Sequence, residues 1–341
     1  MGMLAVMYHK DKALFEKVLE NTDACMQQDR DGYNIGMYIA KKISGDVERA
    51  SYEDLLIKAL DNEFASMQQD GLGKNFGMHV ALQGFKKATL KALDNLVASN
   101  QQDKDGFNIG MVAAINIQDD EVDFKALSNP VASVQKTKDG DNIGMLIAKN
   151  FAETRKGSFY LGKMRNPEVL IYALQNKEAS IQQSKYGYNI GMFVASNENV
   201  PECVISFALK NKEASVQQNQ YGKNIGMIVA LHDGSVDLIL EAMENEEAVK
   251  QESFEKSTIL SICEDKGRND VFFEIFKRGL DDKPIFKQYI KKVEDQEKQS
   301  WKLSDINLLE DSLDSLMRKF DINTKQEEAD TLSEVDSVME E

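Results

Sequence analysis

Apolar residues in this chain gather in short runs with helical spacing, such as Val204-Ile205-Phe207-Ala208-Leu209, and each run is followed by an asparagine: Asn21, Asn62, Asn95, Asn129, Asn176, Asn211 and Asn245. Asparagine tolerates the left-handed conformation that closes a helix, so each reads as a helix stop, and Pro130 directly after Asn129 agrees. Further along each unit stands a polar residue suited to open a tight turn: Asp29, Asp70, Asp103, Thr137, Ser184, Asn219 and Ser253. Their side chains can bond to the turn backbone, and the glycine three residues later in six of the seven supplies a positive φ.

After the turn the pattern G-x-N-[IF]-G-M-x-x-A begins at Gly32, Gly73, Gly106, Gly140, Gly187 and Gly222, at separations of 41, 33, 34, 47 and 35 residues. Self-similarity at such a period is the signature of a repeat array. The asparagine of the pattern (Asn34, Asn75, Asn108, Asn142, Asn189, Asn224) has the chemistry of an N-cap, so a new helix is expected there. Met37, Met78, Met111, Met145, Met192 and Met227 precede alanines 40, 81, 114, 148, 195 and 230 by three residues, which marks one helix face. The internal glycines, Gly36 through Gly226, are the odd choice, since glycine early in a helix costs up to about 1 kcal/mol relative to alanine. Close backbone approach between neighbouring units, with the flexible methionine filling the remaining gap, accounts for them. A methionine metal ladder lacks other soft ligands to support it.

A helix stop, a D-x-x-G turn, a capped helix ending in small residues and a second helix at a period near 33 resemble the ankyrin repeat. The stretch Leu19-Glu20-Asn21 with Ala24, Asp29-Arg30-Asp31-Gly32 and Asn34 carries the likeness, which covers about residues 1–280. The resemblance implies an all-α repeat solenoid of helix-turn-helix units with hairpin-like turns, and a concave face that engages partners. The chain departs from the family where Asn-Ile-Gly-Met stands for Thr-Pro-Leu-His and where the glycine after the outer helix is missing. Thr258-Ile259-Leu260-Ser261-Ile262 and Gly279 read as a degenerate capping unit, and residues 3–21 as its N-terminal counterpart.

Composition narrows the function. A formal net charge of −16 excludes a general nucleic-acid surface, because phosphate binding needs lysine and arginine to displace counterions. Cys25, Cys203 and Cys263 are far apart with no C-x-x-C, so neither a disulfide framework nor a zinc site is expected; Cys203 and Cys263 fall in apolar helical patterns and read as core. No segment approaches the roughly 20 apolar residues of a membrane span, and the N-terminus lacks a basic secretory n-region. A reducing, cytoplasmic setting is the simple expectation.

Two insertions interrupt the period, at residues 41–49 and near 149–165. The second carries Lys149, Arg155, Lys156, Lys163 and Arg165 against Glu153, with Phe151, Phe159 and Tyr160 among them. Basic residues with aromatics can hold acidic peptides or nucleic-acid strands; a solvated loop tucked down by its aromatics is the plain alternative. Lys185, Tyr186, Tyr188, Tyr221 and Lys223 flank the next two turns, where ankyrin-like arrays engage partners, and tyrosine is a frequent interface anchor. These residues, with Arg155, Lys156, Phe159, Tyr160, Lys163 and Arg165, are the partner-binding candidates.

Beyond residue 281 the pattern changes. Residues 284–300 read as a charged helix, and Ile306, Leu309, Leu313, Leu316 and Phe320 form a narrow apolar stripe in 281–325. From Gln326 to Glu341 there are seven acids and no base, so 326–341 reads as a flexible tail. An acidic block ending in apolar residues resembles the C-terminal signals of type IV secreted effectors of intracellular bacteria, which implies delivery into a host cell as the alternative location.

The leading reading is a monomeric, non-enzymatic protein-protein interaction scaffold without cofactor or metal. A self-associating structural protein using residues 305–320 is one alternative, and an enzyme whose site is invisible in sequence is the other. His9, His79 and His232 are the only histidines, none in an H-E-x-x-H or nucleophile-elbow pattern, and no P-loop is present. His79 reads as a surface or groove residue and His232 as a helix end.

Overall fold

A computed structural model describes residues 6, 11–43, 49–151, 165–280 and four positions between 283 and 287. Among these the protein is all-helical, with no strand beyond an isolated bridge between Gln69 and Asn75. The chain divides into two compact units, Met1–Arg278 and Gly279–Glu341. In the second unit, the helix expected at 284–300, the apolar stripe at 306–320 and the acidic tail lie outside the described residues, apart from a few positions at the start.

Within the first unit three kinds of helix recur in a fixed order. The motif helices are Ile35–Lys42, Phe76–Leu82, Ile109–Asn116, Ile143–Lys149, Ile190–Ala195, Ile225–Leu231 and Ile259–Asp265. Each is followed by a long helix (Arg49–Leu60, Lys86–Asp94, Asp120–Ser128, Pro167–Gln175, Glu202–Lys210, Val236–Ala242, Asn269–Lys277), and Lys12–Leu19 precedes the first. A short helix comes between each long helix and the next turn: Thr22–Met26, Glu63–Met67, Leu96–Asn100, the 3-10 turn Ala132–Val134, Lys177–Ile181, Lys212–Ser215 and Glu246–Val249. Successive motif helices touch one another, and so do successive long helices. The row is continuous even where 47 residues separate the motifs, because Ile143–Lys149 still packs on Ile190–Ala195.

The asparagines at the ends of the long helices do close them, Asn95, Asn129, Asn176 and Asn211 standing directly after the last helical residue, but not in the left-handed conformation expected of a helix stop. They are extended, with φ from −94° at Asn21 to −73° at Asn176, and each caps the short helix that follows it. Asn62 Oδ1, for example, accepts from the Ala65 N–H at 3.1 Å. Their amide nitrogens reach the preceding unit: Asn95 donates to Ser66 Oγ at 2.9 Å, Asn129 to Ser99 Oγ at 2.9 Å and Asn211 to Ser180 Oγ at 2.9 Å. An N-cap wants an oxygen acceptor and an extended backbone, which explains why these positions are asparagine and not glycine.

The motif asparagines behave as expected and do more. Asn108 Oδ1 accepts from the Met111 N–H at 2.9 Å, while its amide donates forward into the next unit, to Ala132 O at 2.9 Å and to Gln135 Oε1 at 2.8 Å. The same three bonds recur at Asn34, Asn75, Asn142, Asn189 and Asn224, all fully buried. The glutamine that receives the bond donates back: Gln135 Nε2 to Asn100 O at 2.7 Å, Gln182 Nε2 to Val134 O at 2.9 Å.

The internal glycines do mark a close approach, but by a side chain of the next unit and not by backbone. A methyl group on Gly191 would lie 2.5 Å from Ile225 Cδ1, and one on Gly77 would lie 2.4 Å from Ile109 Cδ1. From the second motif helix on, the first residue drops into the hollow over the glycine of the helix before it, while the methionines pack fully buried beside it. Cys263 and Cys25 are buried as small apolar residues; Cys203 is exposed, since the helix Glu202–Lys210 turns Val204, Ala208 and Leu209 inward. Gly191→Ala is expected to lower stability by about 1–3 kcal/mol although alanine is the better helix former. Ile225→Val removes the clashing methyl, so urea unfolding of the double variant should show less loss than the two single losses added; strict additivity would refute the fit.

Candidate protein-interaction surface

The turns form a row of their own. Asp103 Oδ1 accepts from the N–H groups of Asp105 and Phe107 at 2.9 Å, and Asn219 Oδ1 holds Tyr221 and Lys223 in the same way at 2.9 and 3.1 Å. Gly106 and Gly222 sit at φ of +84° and +73°. In the seventh turn Lys256 takes that place at φ 61°, a strained conformation for a residue with a side chain. Each turn is tied to the next by a backbone bond across its tip: Lys104 N–H to Leu72 O at 3.0 Å, Lys138 to Asp105 at 2.8 Å, Lys185 to Asp139 at 2.7 Å, Gln220 to Tyr186 at 2.9 Å and Phe254 to Tyr221 at 3.1 Å.

This row brings together five of the candidate residues. Lys185 pairs with Asp139 on the preceding tip at 2.5 Å and stands over the Tyr186 ring at 4.9 Å. Lys223 reaches Glu255 on the following turn at 3.6 Å. Tyr186 and Tyr221 are exposed on adjacent tips. Tyr188 lies deeper, its ring stacked 5.2 Å from Phe193, and burial raises its hydroxyl above the ordinary tyrosine range. Phe254, 77% exposed on the next turn and lying against Gly222, extends the aromatic row. Its turn lacks the glycine and the motif, so pattern matching passes over it; the signal is its place one residue after the turn opener Ser253.

Beside the turns, acids face residues of the motif helices. Tyr38 donates to Asp29, which raises the Tyr38 hydroxyl to about 12. His79 Nε2 lies 2.9 Å from Asp70 Oδ2 with the Tyr33 ring at 5.3 Å, and the imidazole is buried rather than exposed in a groove. Burial lowers its pKa against the pull of Asp70. Asp103 pairs with Lys74 of the preceding unit at 3.2 Å, and Asp141 with Lys149 at 2.5 Å. At Thr137, Ser184 and Asn219 the turn opener is neutral and the residue nine positions on is apolar, Leu146, Phe193 and Ile228, whereas Asp103 keeps its charge opposite Val112 and pairs with Lys74 instead.

Arg165 leaves the candidate set. It is buried, with Nε 3.3 Å from Asp123 Oδ2, while Nη1 and Nη2 donate to Ile147 O and Ala114 O at the ends of two motif helices. There it offsets the negative ends of two helices, a task for a cation that has no access to a partner. Phe151 is also buried. Arg155, Lys156, Phe159, Tyr160 and Lys163 lie outside the described residues. No helix among the described residues is long and apolar enough to cross a membrane, and no group of three metal-ligating side chains occurs among them.

The chain matches no protein-family model and no curated protein. Among solved structures it is similar to a chain from the complex of a predatory endopeptidase of Bdellovibrio bacteriovorus with an immunity protein, at 19% identity and a TM-score of 0.43, covering 59% of this chain and 96% of that one. A likeness of that degree is too slight to bear on fold or function.

The Asp123–Arg165 pair gives a pH signature. Burial pushes the Asp123 carboxyl up to about 7 while Arg165 pulls it down. A carboxyl raised on folding contributes stability that is complete below its unfolded value near 3.8 and is lost as pH rises through about 7. Denaturation midpoints at low and high pH should therefore show wild type losing more stability than Asp123→Asn as pH rises through that window. Equal losses in both proteins would refute the assignment.

Proposed function

We propose that residues 1–280 form an ankyrin-like solenoid that acts as a non-enzymatic scaffold, holding a protein partner along the row of turns and the adjoining faces of the motif helices. The observation that carries this reading is the set of exposed aromatics on three consecutive turns, Tyr186, Tyr221 and Phe254, on a backbone tied from tip to tip. Rigid aromatic side chains lose little conformational freedom on binding and anchor interfaces. Lys185 and Lys223, each already bonded to an acid of a neighbouring turn, set the local charge pattern that would select the partner's polar rim.

Affinity capture with wild type and with Tyr186→Ala/Tyr221→Ala tests it. Truncating two central anchors is expected to weaken the complex by about 2 kcal/mol or more, roughly thirtyfold, without changing the unfolding midpoint. Identical partners and affinities would remove this face. The same reading takes the acidic end as an address for a type IV secretion system. Deleting residues 322–341 should abolish delivery of a reporter fusion into host cells, and unimpaired delivery would dispose of that address.

A further inference from the structure

The short helices carry a second surface. In most units the two residues after the capping asparagine are polar or charged: Thr22-Asp23, Lys177-Glu178, Lys212-Glu213 and Glu246-Glu247. An acid there interacts favourably with the helix N-terminus. In three consecutive units the choice changes to Phe64, Leu96 with Val97, and Pro130 with Val131, and the side chains point outward: Phe64 is 70% exposed, Leu96 62%, Val97 60% and Val131 50%. Nothing in the packing beneath calls for this, since the core positions that follow, Ala65-Ser66, Ala98-Ser99 and Ala132-Ser133, match the Ala179-Ser180 and Ala214-Ser215 of the polar units. The three helices lie in register, linked by Asn95 to Ser66 at 2.9 Å and Asn129 to Ser99 at 2.9 Å, so the apolar residues fall in a line.

We infer that Phe64, Leu96, Val97 and Val131 form a docking stripe for a basic amphipathic helix of a partner protein. Charge selects the occupant. Four acids, Glu20, Asp61, Glu63 and Asp94, stand beside three lysines, Lys58 paired with Glu20 at 3.6 Å, Lys91 with Asp61 at 2.9 Å and Lys125 with Asp94 at 2.6 Å, so the rim carries a net charge of −1 on a chain whose total is −16. A second copy of this chain would bring another −16 charges, and the stripe of residues 305–320 carries Asp305, Glu310, Asp311 and Asp314 against Arg318 and Lys319. Both are repelled where a lysine-flanked helix is attracted. Spacing is compatible: helices packed side by side stand about 8–10 Å apart, so a crossing helix rising about 1.5 Å per residue meets successive units with residues about five to seven positions apart.

The test uses a fluorescent 20-residue peptide with leucine at i, i+3, i+4 and i+7 and lysine elsewhere, beside its glutamate counterpart, titrated against the full chain by anisotropy at physiological salt. The variant is Phe64→Glu/Val97→Glu/Val131→Glu, which installs the acid that other units carry at this position; its thermal unfolding should match wild type. The lysine peptide is expected to bind wild type and to lose at least about tenfold in affinity for the variant, with the glutamate peptide binding neither. General charge attraction predicts the opposite sign, since the variant is more acidic, so equal or tighter binding to it overturns the proposal. So does competition by a peptide of residues 305–320, or a wild-type dimer in sedimentation that becomes monomeric in the variant.

Discussion

The buried side-chain amide of each motif asparagine is the constraint on which the structure depends. Its oxygen caps its own helix and both amide hydrogens are spent on the following unit, one on a backbone carbonyl and one on a glutamine. An aspartate or serine could cap the helix equally well but could not donate twice. A buried polar group left unpaired costs about 1–3 kcal/mol, so a unit shifted in register would strand several such groups at once. The seventh motif helix shows the rule by departing from it: Thr258 caps there, closing a local box with Ser261 in place of a forward amide bond.

The glutamines complete the link in the other direction. The first of each pair returns a bond to the preceding unit, and the second spans two turns, as Gln102 does with Lys136 O at 3.0 Å and Gln218 with Glu252 O at 3.0 Å. Apolar contact then follows the polar register, Phe76 or an isoleucine seating over the glycine of the unit before. Because these bonds lie in the shared elements, the tips, the short-helix N-termini and the insertion between residues 149 and 165 vary in sequence without breaking the stack. Function is free to reside there, and both proposed surfaces do.

Much of the fold was legible in the chain. The period, the turn openers, the positive-φ glycines and the motif caps each follow from backbone chemistry acting over a few residues. The helix-stop reading of Asn21 and its equivalents covers the end of the long helix and misses the start of the short one, because a residue that ends one helix and starts another shows the same local pattern as a plain stop. Arg165 failed as a candidate for a different reason. A basic residue among other basic residues looks solvated in sequence, and its partners, Asp123, Ala114 and Ile147, are 18 to 51 residues away. Cys203 and His79 were misplaced for the same reason, since burial of a single helix face is settled by neighbours outside the helix.

The sequence by itself determined the repeating unit, its all-helical character and the composition of its turns, because these are local consequences of φ preference, capping and period. Only the tertiary structure decided what the repeated Asn, Gln and Gly residues are for, and which variable residues share a surface. Those are properties of contact between units, and contact joins Asn34 to Ala65 or Tyr186 to Gln220 across intervals that no local pattern spans.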